Sequence, residues 1–298
     1  MGKIKVVRNI ENVDLVGLLD TLASTIDSQV DFGTTVIEMI IDNPRDEFID
    51  STLIVLLRDY LELLDGISVL VRQGCSEAAI PIIRATFEYY LSILYILQEE
   101  SYKRALSYQV GTLKAKSREL NKTNVKGGGR KFKRTLEKNS YKVTFKGTDN
   151  TVKLTALRKL LNSEPFKEVN IEWDRVQRGM TVPPNWYSLY NGPGNIQKLA
   201  DRLGVVAEYE LLYRNWSSKI HGTDSFRNLS NRGLKQIRMP ESIQLVCTWA
   251  MTWTHKITIE LITLYKPTER AAYFIFYLGI RDIYKNVTSR KPLILFKE

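Results

Sequence analysis

From Ala78 to Leu97 the chain is apolar almost without interruption, and the only charges in the stretch are Arg84 and Glu88. Just upstream, Phe48, Leu53, Leu56, Leu57, Tyr60, Leu61, Leu64, Ile67 and Leu70 recur at three- and four-residue spacing, the period of a helix that buries one face. Gln73-Gly74-Cys75-Ser76 punctuates the two patterns, and a short glycine-containing link between long helices makes an antiparallel hairpin. A chain built on such a hairpin is committed to packing helices on helices. Arg84 and Glu88 are four residues apart and share one face of their helix. Charge buried without a partner is costly, so the two form either a structural ion pair or the polar lining of a cleft.

The same periodicity covers most of the chain. Asn12 to Ile26 and Gln29 to Ile41 read as two helices, Tyr102 to Leu120 as another, and Leu157 to Leu161 and Pro165 to Arg178 as shorter ones. A helix from Val205 to Ile220 follows, then Ile243 to Tyr265 and Thr268 to Tyr284. The fold class expected is all-α, a multi-helix bundle. One segment breaks the pattern: after Gly127-Gly128-Gly129 comes a basic run, and Tyr141 to Lys146 alternate apolar and polar residues, with Val152 and Leu154 resuming the alternation. That segment reads as an inserted basic arm or β-hairpin, mobile in its first part because three glycines are entropically costly to order. The division expected is residues 1–120 (N-terminal helices), 121–155 (basic insertion) and 156–298 (C-terminal helices), as one integrated domain.

The insertion also holds the charge. Between Lys114 and Lys146 lie twelve Lys and Arg residues against Glu119 and Glu137, a surplus equal to the whole net charge of +10. A neutral body with one basic region suits a polyanion such as nucleic acid, and Arg130, Lys131, Lys133, Arg134 and Lys142 are the candidate contacts. The bland alternative is a solvated basic loop. No apolar run reaches the roughly 18 residues that span a bilayer, and the first residues lack the apolar core of a signal peptide. Cys75 and Cys247 read as free thiols of a reducing compartment, so the expected location is cytoplasmic, with no membrane partner.

Candidate chemistry gathers at Tyr213-Arg214-Asn215-Trp216-Ser217-Ser218-Lys219-Ile220-His221-Gly222, which holds one of the two histidines. On an α-helix Arg214 and His221 come within about 20° of one another, roughly 10 Å apart along the axis. Ser217 lies between them, and Gly222 is suited to end the helix. An imidazole that titrates near neutral pH beside a fixed cation suits RNA cleavage by the substrate's own 2′-hydroxyl. His255, in Thr254-His255-Lys256, lacks such company and reads as a core histidine. No phosphate loop of Walker type, zinc cluster, nucleophile elbow or paired-carboxylate metal motif is present, so no metal or cofactor is expected.

Arg214-Asn215 followed after a gap by His221 resembles the hallmark of the HEPN superfamily of all-α ribonucleases. The pattern Tyr213-x-x-x-Ser217-x-x-x-His221, with Asn185-Trp186-Tyr187-Ser188 and Ile196-Gln197-Lys198-Leu199-Ala200 upstream, is similar to an uncharacterised bacterial branch of that superfamily. So is Gly74 to Arg84 followed by Glu88. The resemblance implies an endoribonuclease of bacterial toxin or antiphage abortive-infection type that needs no metal. Arg214 and His221 map onto the hallmark, and Arg84, Glu88 and Ser217 onto the weaker branch pattern. It implies a homodimer or higher homo-oligomer with a shared active site, RNA as partner, and an inhibitor or sensor protein that holds the enzyme in check. The other reading is a non-catalytic nucleic-acid-binding or protein-interaction subunit of a defence complex.

Overall fold

The computed structural model describes residues 13–141, 148–214 and 243–289, together with residues 216, 226, 229–230, 233–234 and 238. The described residues form two compact units, one of residues 1–99 with 200–298 and one of residues 100–199. The segment expected as an insertion, 121–155, is therefore part of a larger helical unit that begins at Glu100.

The first unit contains α1 (Val13–Asp42), α2 (Glu47–Arg72), α3 (Ser76–Leu97), a single turn α9 (Val206–Glu208) continued by a π-helical turn (Tyr209–Arg214), α10 (Ile243–Tyr265) and α11 (Arg270–Ser289). Helix α1 packs on α2, α10 and α11, and α3 packs on α2 and α10. Leu53, Leu57, Tyr60 and Leu64 of α2, spaced as one helical stripe, are all buried, as are Ile83, Phe87 and Tyr90 of α3 and Trp253 of α10. Each large side chain so buried contributes about 1.5–3 kcal/mol, and this apolar seam is what fixes α3 in place. Asp46 caps α2 by accepting from Phe48 and Ile49 N–H at 3.0 Å. Asp50 reaches back to Asp46 N–H at 3.0 Å and also accepts the Tyr265 hydroxyl at 2.5 Å, tying the start of α2 to the end of α10.

The two expected N-terminal helices are one continuous helix. Asp27 and Ser28, where a break was expected, stay helical because Asp27 accepts from Ser68 and from Arg72 Nη2 (2.5 Å) on α2. Among the described residues α3 alone is long and apolar enough to cross a membrane, and 56% of its most apolar window is buried within the protein.

The second unit holds α4 (Ser101–Thr123), α5 (Gly129–Lys138), α6 (Thr151–Leu161), α7 (Phe166–Gln177), a 3-10 turn (Trp186–Asn191) and the start of α8 (Ile196–Arg202). α4 is its axis and meets α5, α6, α7 and the 3-10 turn. Buried Glu172 binds Arg175 through both oxygens (2.6 and 2.7 Å) and accepts the Tyr190 N–H at 2.8 Å, where the backbone turns left-handed (Tyr190 φ 54°, Asn191 φ 59°).

No β-hairpin forms among the described residues of 121–155; residues 142–147 lie outside them, and Val152 and Leu154 belong to α6. The glycine run is packed rather than loose. Asn124 and Asn150 are buried, Asn150 N–H donates to Asn124 Oδ1 at 3.2 Å, and Gly127 and Gly129 N–H both donate to Asn124 O at 3.0 and 2.9 Å. A Cβ on Gly129 would stand 2.6 Å from Asn124 O, so the glycine permits a backbone approach that no larger residue allows. That knot starts α5, and the basic run is helical. Among the described residues Leu229–Ser230 and Gly233–Leu234 form a two-residue antiparallel pair.

Candidate functional site

Helix α3 presents Arg84 and Glu88 on one face, and both reach Tyr213. The Tyr213 hydroxyl donates to Glu88 Oε1 at 2.7 Å. The guanidinium carbon of Arg84 lies 4.0 Å from the centre of the Tyr213 ring, a cation–π contact. Tyr209 stacks on the same ring at 5.3 Å, and Phe87 of α3 lies at 6.0 Å. Burial, and then the Glu88 carboxylate, hold the Tyr213 phenol above its ordinary pKa, so it remains a donor at neutral pH. Arg84 is half-buried, and its Nε is buried with no hydrogen-bond partner among the described residues. The expectation of two buried charges is corrected at one position: Glu88 is exposed, and the tyrosine, not burial, organises the pair.

Tyr213 is delivered by the π-helical turn Tyr209–Arg214. The continuous α-helix expected from Val205 to Ile220 does not form, since α9 ends at Glu208, the next six residues are π-helical, and Trp216 lies in a turn. Wide turns of this kind are rare and occur often at functional sites. The buried Trp253 indole donates to Glu208 Oε2 at 2.7 Å, while the Trp253 ring lies 5.0 Å from Phe87 and 5.6 Å from Tyr90 of α3. Burial raises the Glu208 carboxyl, a shift partly offset by the Trp253 hydrogen bond and by Lys256. Glu208 thus fixes the entrance of the turn to the same core that fixes Arg84 and Glu88.

Arg214 points into solvent and is bound by Glu210, with Nη1 at 3.0 and 2.9 Å from the two carboxylate oxygens. Ser217, His221 and Lys142 lie outside the described residues. The chain reaches that segment through Trp216, which is buried and donates its N–H to Leu212 O at 2.9 Å. His255 is half-buried beside the core: it stacks on Tyr277 at 3.6 Å, its Nδ1 lies 3.1 Å from the Tyr273 hydroxyl, and burial lowers its pKa. Tyr213 was legible in the sequence as part of a motif, but Glu208 and Tyr209 carried no signal there, because their roles depend on the π turn. Among the described residues no three His, Cys, Asp or Glu side chains gather as a metal site would require.

In the second unit Arg130, Lys131, Lys133, Arg134 and Lys138 lie exposed on α5. Arg130, Arg134 and Lys138 fall at four-residue intervals and form one stripe, about 6 Å between successive charges along the axis. Lys133 pairs with Glu137 at 3.7 Å, Lys126 with Asp149 at 2.8 Å and Lys114 with Asp174 at 2.8 Å. Among the described residues the stripe itself forms no ion pair, and exposed Phe132 and Tyr141 lie close by in sequence.

No curated protein and no solved structure matches the chain. The sequence model of one family does match, over residues 50–234. That range takes in α2 from Asp50 onward, α3, the whole second unit and the turn that carries Tyr213, so it holds both halves of the Arg84–Tyr213–Glu88 arrangement as well as the basic helix. With more than half of its length covered, the chain belongs to DUF5677, a family of unknown function.

Proposed function

We propose that this protein is an endoribonuclease of HEPN-like type, cytoplasmic, acting as a toxin or antiphage abortive-infection effector under the control of a partner protein. The observation that carries the reading is the convergence of Arg84 and Glu88 on Tyr213, the first residue of the Tyr213…Ser217…His221 pattern. The contact joins Arg84 and Glu88 to the first residue of the second segment on which the resemblance to the bacterial branch rests, while the superfamily hallmark itself is Arg214-Asn215 followed by His221.

In the reaction proposed, the 2′-oxygen of a ribose attacks the adjacent phosphorus and the bond to the 5′-oxygen breaks, leaving a 2′,3′-cyclic phosphate. His221 takes the 2′-hydroxyl proton while solvent water protonates the departing 5′-oxygen, or supplies that proton while water takes the one from the 2′-hydroxyl. Arg214 stabilises charge on the phosphate oxygens, which requires it to exchange its ion pair with Glu210 for the substrate. Arg84 adds a second fixed cation, held in orientation by the Tyr213 ring, and Ser217 supplies a hydroxyl donor.

A second reading is favoured by a different observation. The cations of α5 that form no ion pair among the described residues fit a phosphate backbone whether or not the chain cleaves it, so the protein also suits the role of a non-catalytic nucleic-acid-binding subunit. Incubation of total RNA with wild type and with His221→Ala, EDTA present, tests both. Cleavage by wild type alone is the expected result. Equal cleavage by both proteins removes His221 from the mechanism. Salt-sensitive binding without cleavage supports the second reading.

A further inference from the structure

The positive charge of this chain belongs to one of its two units. Residues 100–199 carry twenty-one Lys and Arg against eight Asp and Glu, a net charge of +13, so the rest of the chain stands at −3. Within that unit α5 is not the only helix with cations in register. On α4, Lys114, Arg118 and Lys122 fall at four-residue intervals and share one stripe, about 6 Å between successive charges along the axis. Lys114 is held by Asp174 at 2.8 Å. Arg118 and Lys122 are exposed and form no ion pair among the described residues.

The glycine run brings this stripe to the one on α5. A Cβ on Gly128 would stand 2.8 Å from Asn121 O and 3.4 Å from Lys122 Cα, so the backbone that starts α5 lies directly against the last turn of α4. Gly128 has an ordinary helical φ of −61°; the close approach, not the conformation, is what requires a glycine there. The α5 stripe of Arg130, Arg134 and Lys138 therefore opens two residues beyond the point where the chain touches Lys122. Tyr141, 66% exposed, stands past the far end of α5, its N–H held by Leu136 O at 3.1 Å.

We propose that Arg118 and Lys122 extend the α5 stripe into one continuous phosphate-binding track, spliced at Gly128, that follows the backbone of a single strand of RNA. Each stripe alone offers two or three cations; joined, they offer five along two consecutive helices. One line of charge follows one strand, and the exposed Tyr141 ring at its end is a surface on which an unpaired base stacks, which a paired base in a duplex cannot do. The track rests on the reading of RNA as the partner, but it holds whether or not the chain cleaves what it binds.

Anisotropy of a labelled 2′-O-methyl RNA of about 16 nucleotides, the upper end of common single-strand sites, tests it across a salt series with the full chain. That probe lacks the hydroxyl that would attack, so the readout is independent of cleavage. Arg118→Ala combined with Lys122→Ala is expected to lower the slope of log affinity against log salt by about 1.4, two phosphates at about 0.7 each. Lys116→Ala is the control, since its ammonium is held by Glu119 at 3.2 Å, and it should leave the slope nearly unchanged. Gly128→Ala removes no charge but forces the start of α5 off α4, and is expected to weaken binding several-fold. The exposed pair carries the charge test whatever Gly128→Ala does to stability. An unchanged slope for the Arg118/Lys122 variant, or a duplex of the same sequence bound as tightly as the single strand, would overturn the track. Cleavage of ordinary RNA together with that unchanged slope would leave the nuclease reading standing and remove the track alone.

Discussion

The Tyr213 hydroxyl donates to the Glu88 carboxylate across 2.7 Å, joining two residues 125 positions apart in the chain. The bond locks the π turn to α3, and its strength is measurable. Glu88 is exposed and can return to water when the partner is lost, so Tyr213→Phe is expected to cost about 1 kcal/mol. Tyr213→Ala removes the ring under Arg84 and beside Phe87 as well and is expected to cost distinctly more. A double-mutant cycle of Tyr213→Phe with Glu88→Gln, read by denaturant unfolding, should give a coupling energy of about 0.5–1 kcal/mol. Additive single effects would show that the bond contributes nothing.

Glu208 serves the fully buried Trp253, whose indole N–H has its acceptor in that carboxylate. Glu208→Ala leaves the N–H unpaired and is expected to cost about 1–3 kcal/mol, whereas Glu208→Gln keeps an acceptor oxygen and should cost less. If the π turn positions a nuclease site, Glu208→Ala also lowers RNA cleavage beyond what the lost stability explains, and Glu208→Gln rescues part of it. Loss of stability with undiminished cleavage would separate the turn from the site.

How much of this was legible beforehand depended on whether a local pattern served a local purpose. α2 and α3 were read correctly because their stripes bury one face and Gly74 closes the link. α1 looked like two helices because Asp27 and Ser28 interrupt an apolar pattern, yet Asp27 is helical and bonds Ser68 and Arg72. The glycine run looked loose because its partners, Asn124 and Asn150, lie on either side of the basic stretch and meet only in the folded chain. The π turn is illegible for a related reason: side-chain spacing through residues 209–214 fits a 3.6-residue period, whereas the backbone there is wider. The co-facial placement expected of Arg214 and His221 depends on that period, which the chain departs from before Arg214.

His255 makes stability depend on pH. Burial against Tyr273 and Tyr277 lowers its folded pKa below the ordinary 6.5, so the unfolded chain takes the proton first. Stability is therefore expected to fall as pH drops from about 6.5 toward the lower folded value. Replacing His255 by Phe, which keeps a ring against Tyr277, should flatten that part of the profile. The check is the thermal midpoint of both proteins between about pH 7.5 and 5.5; parallel curves would assign the acid sensitivity elsewhere.

The stripe on α5 makes the last prediction, and it concerns salt. Each phosphate neutralised on a single strand adds about 0.7 to the slope of log affinity against log salt. Arg130, Arg134 and Lys138 form no ion pair among the described residues, so their cations are available to a polyanion. Replacing all three by Ala is expected to lower the slope by about 2 and to weaken binding of unrelated RNA sequences alike. Lys114 is the control, since its ammonium is already held by Asp174 at 2.8 Å, and Lys114→Ala should leave the slope nearly unchanged. Anisotropy of a labelled RNA across a salt series reads both. Equal slopes for the triple variant and wild type would mean that α5 is a solvated basic helix, and RNA would then have to meet the protein elsewhere.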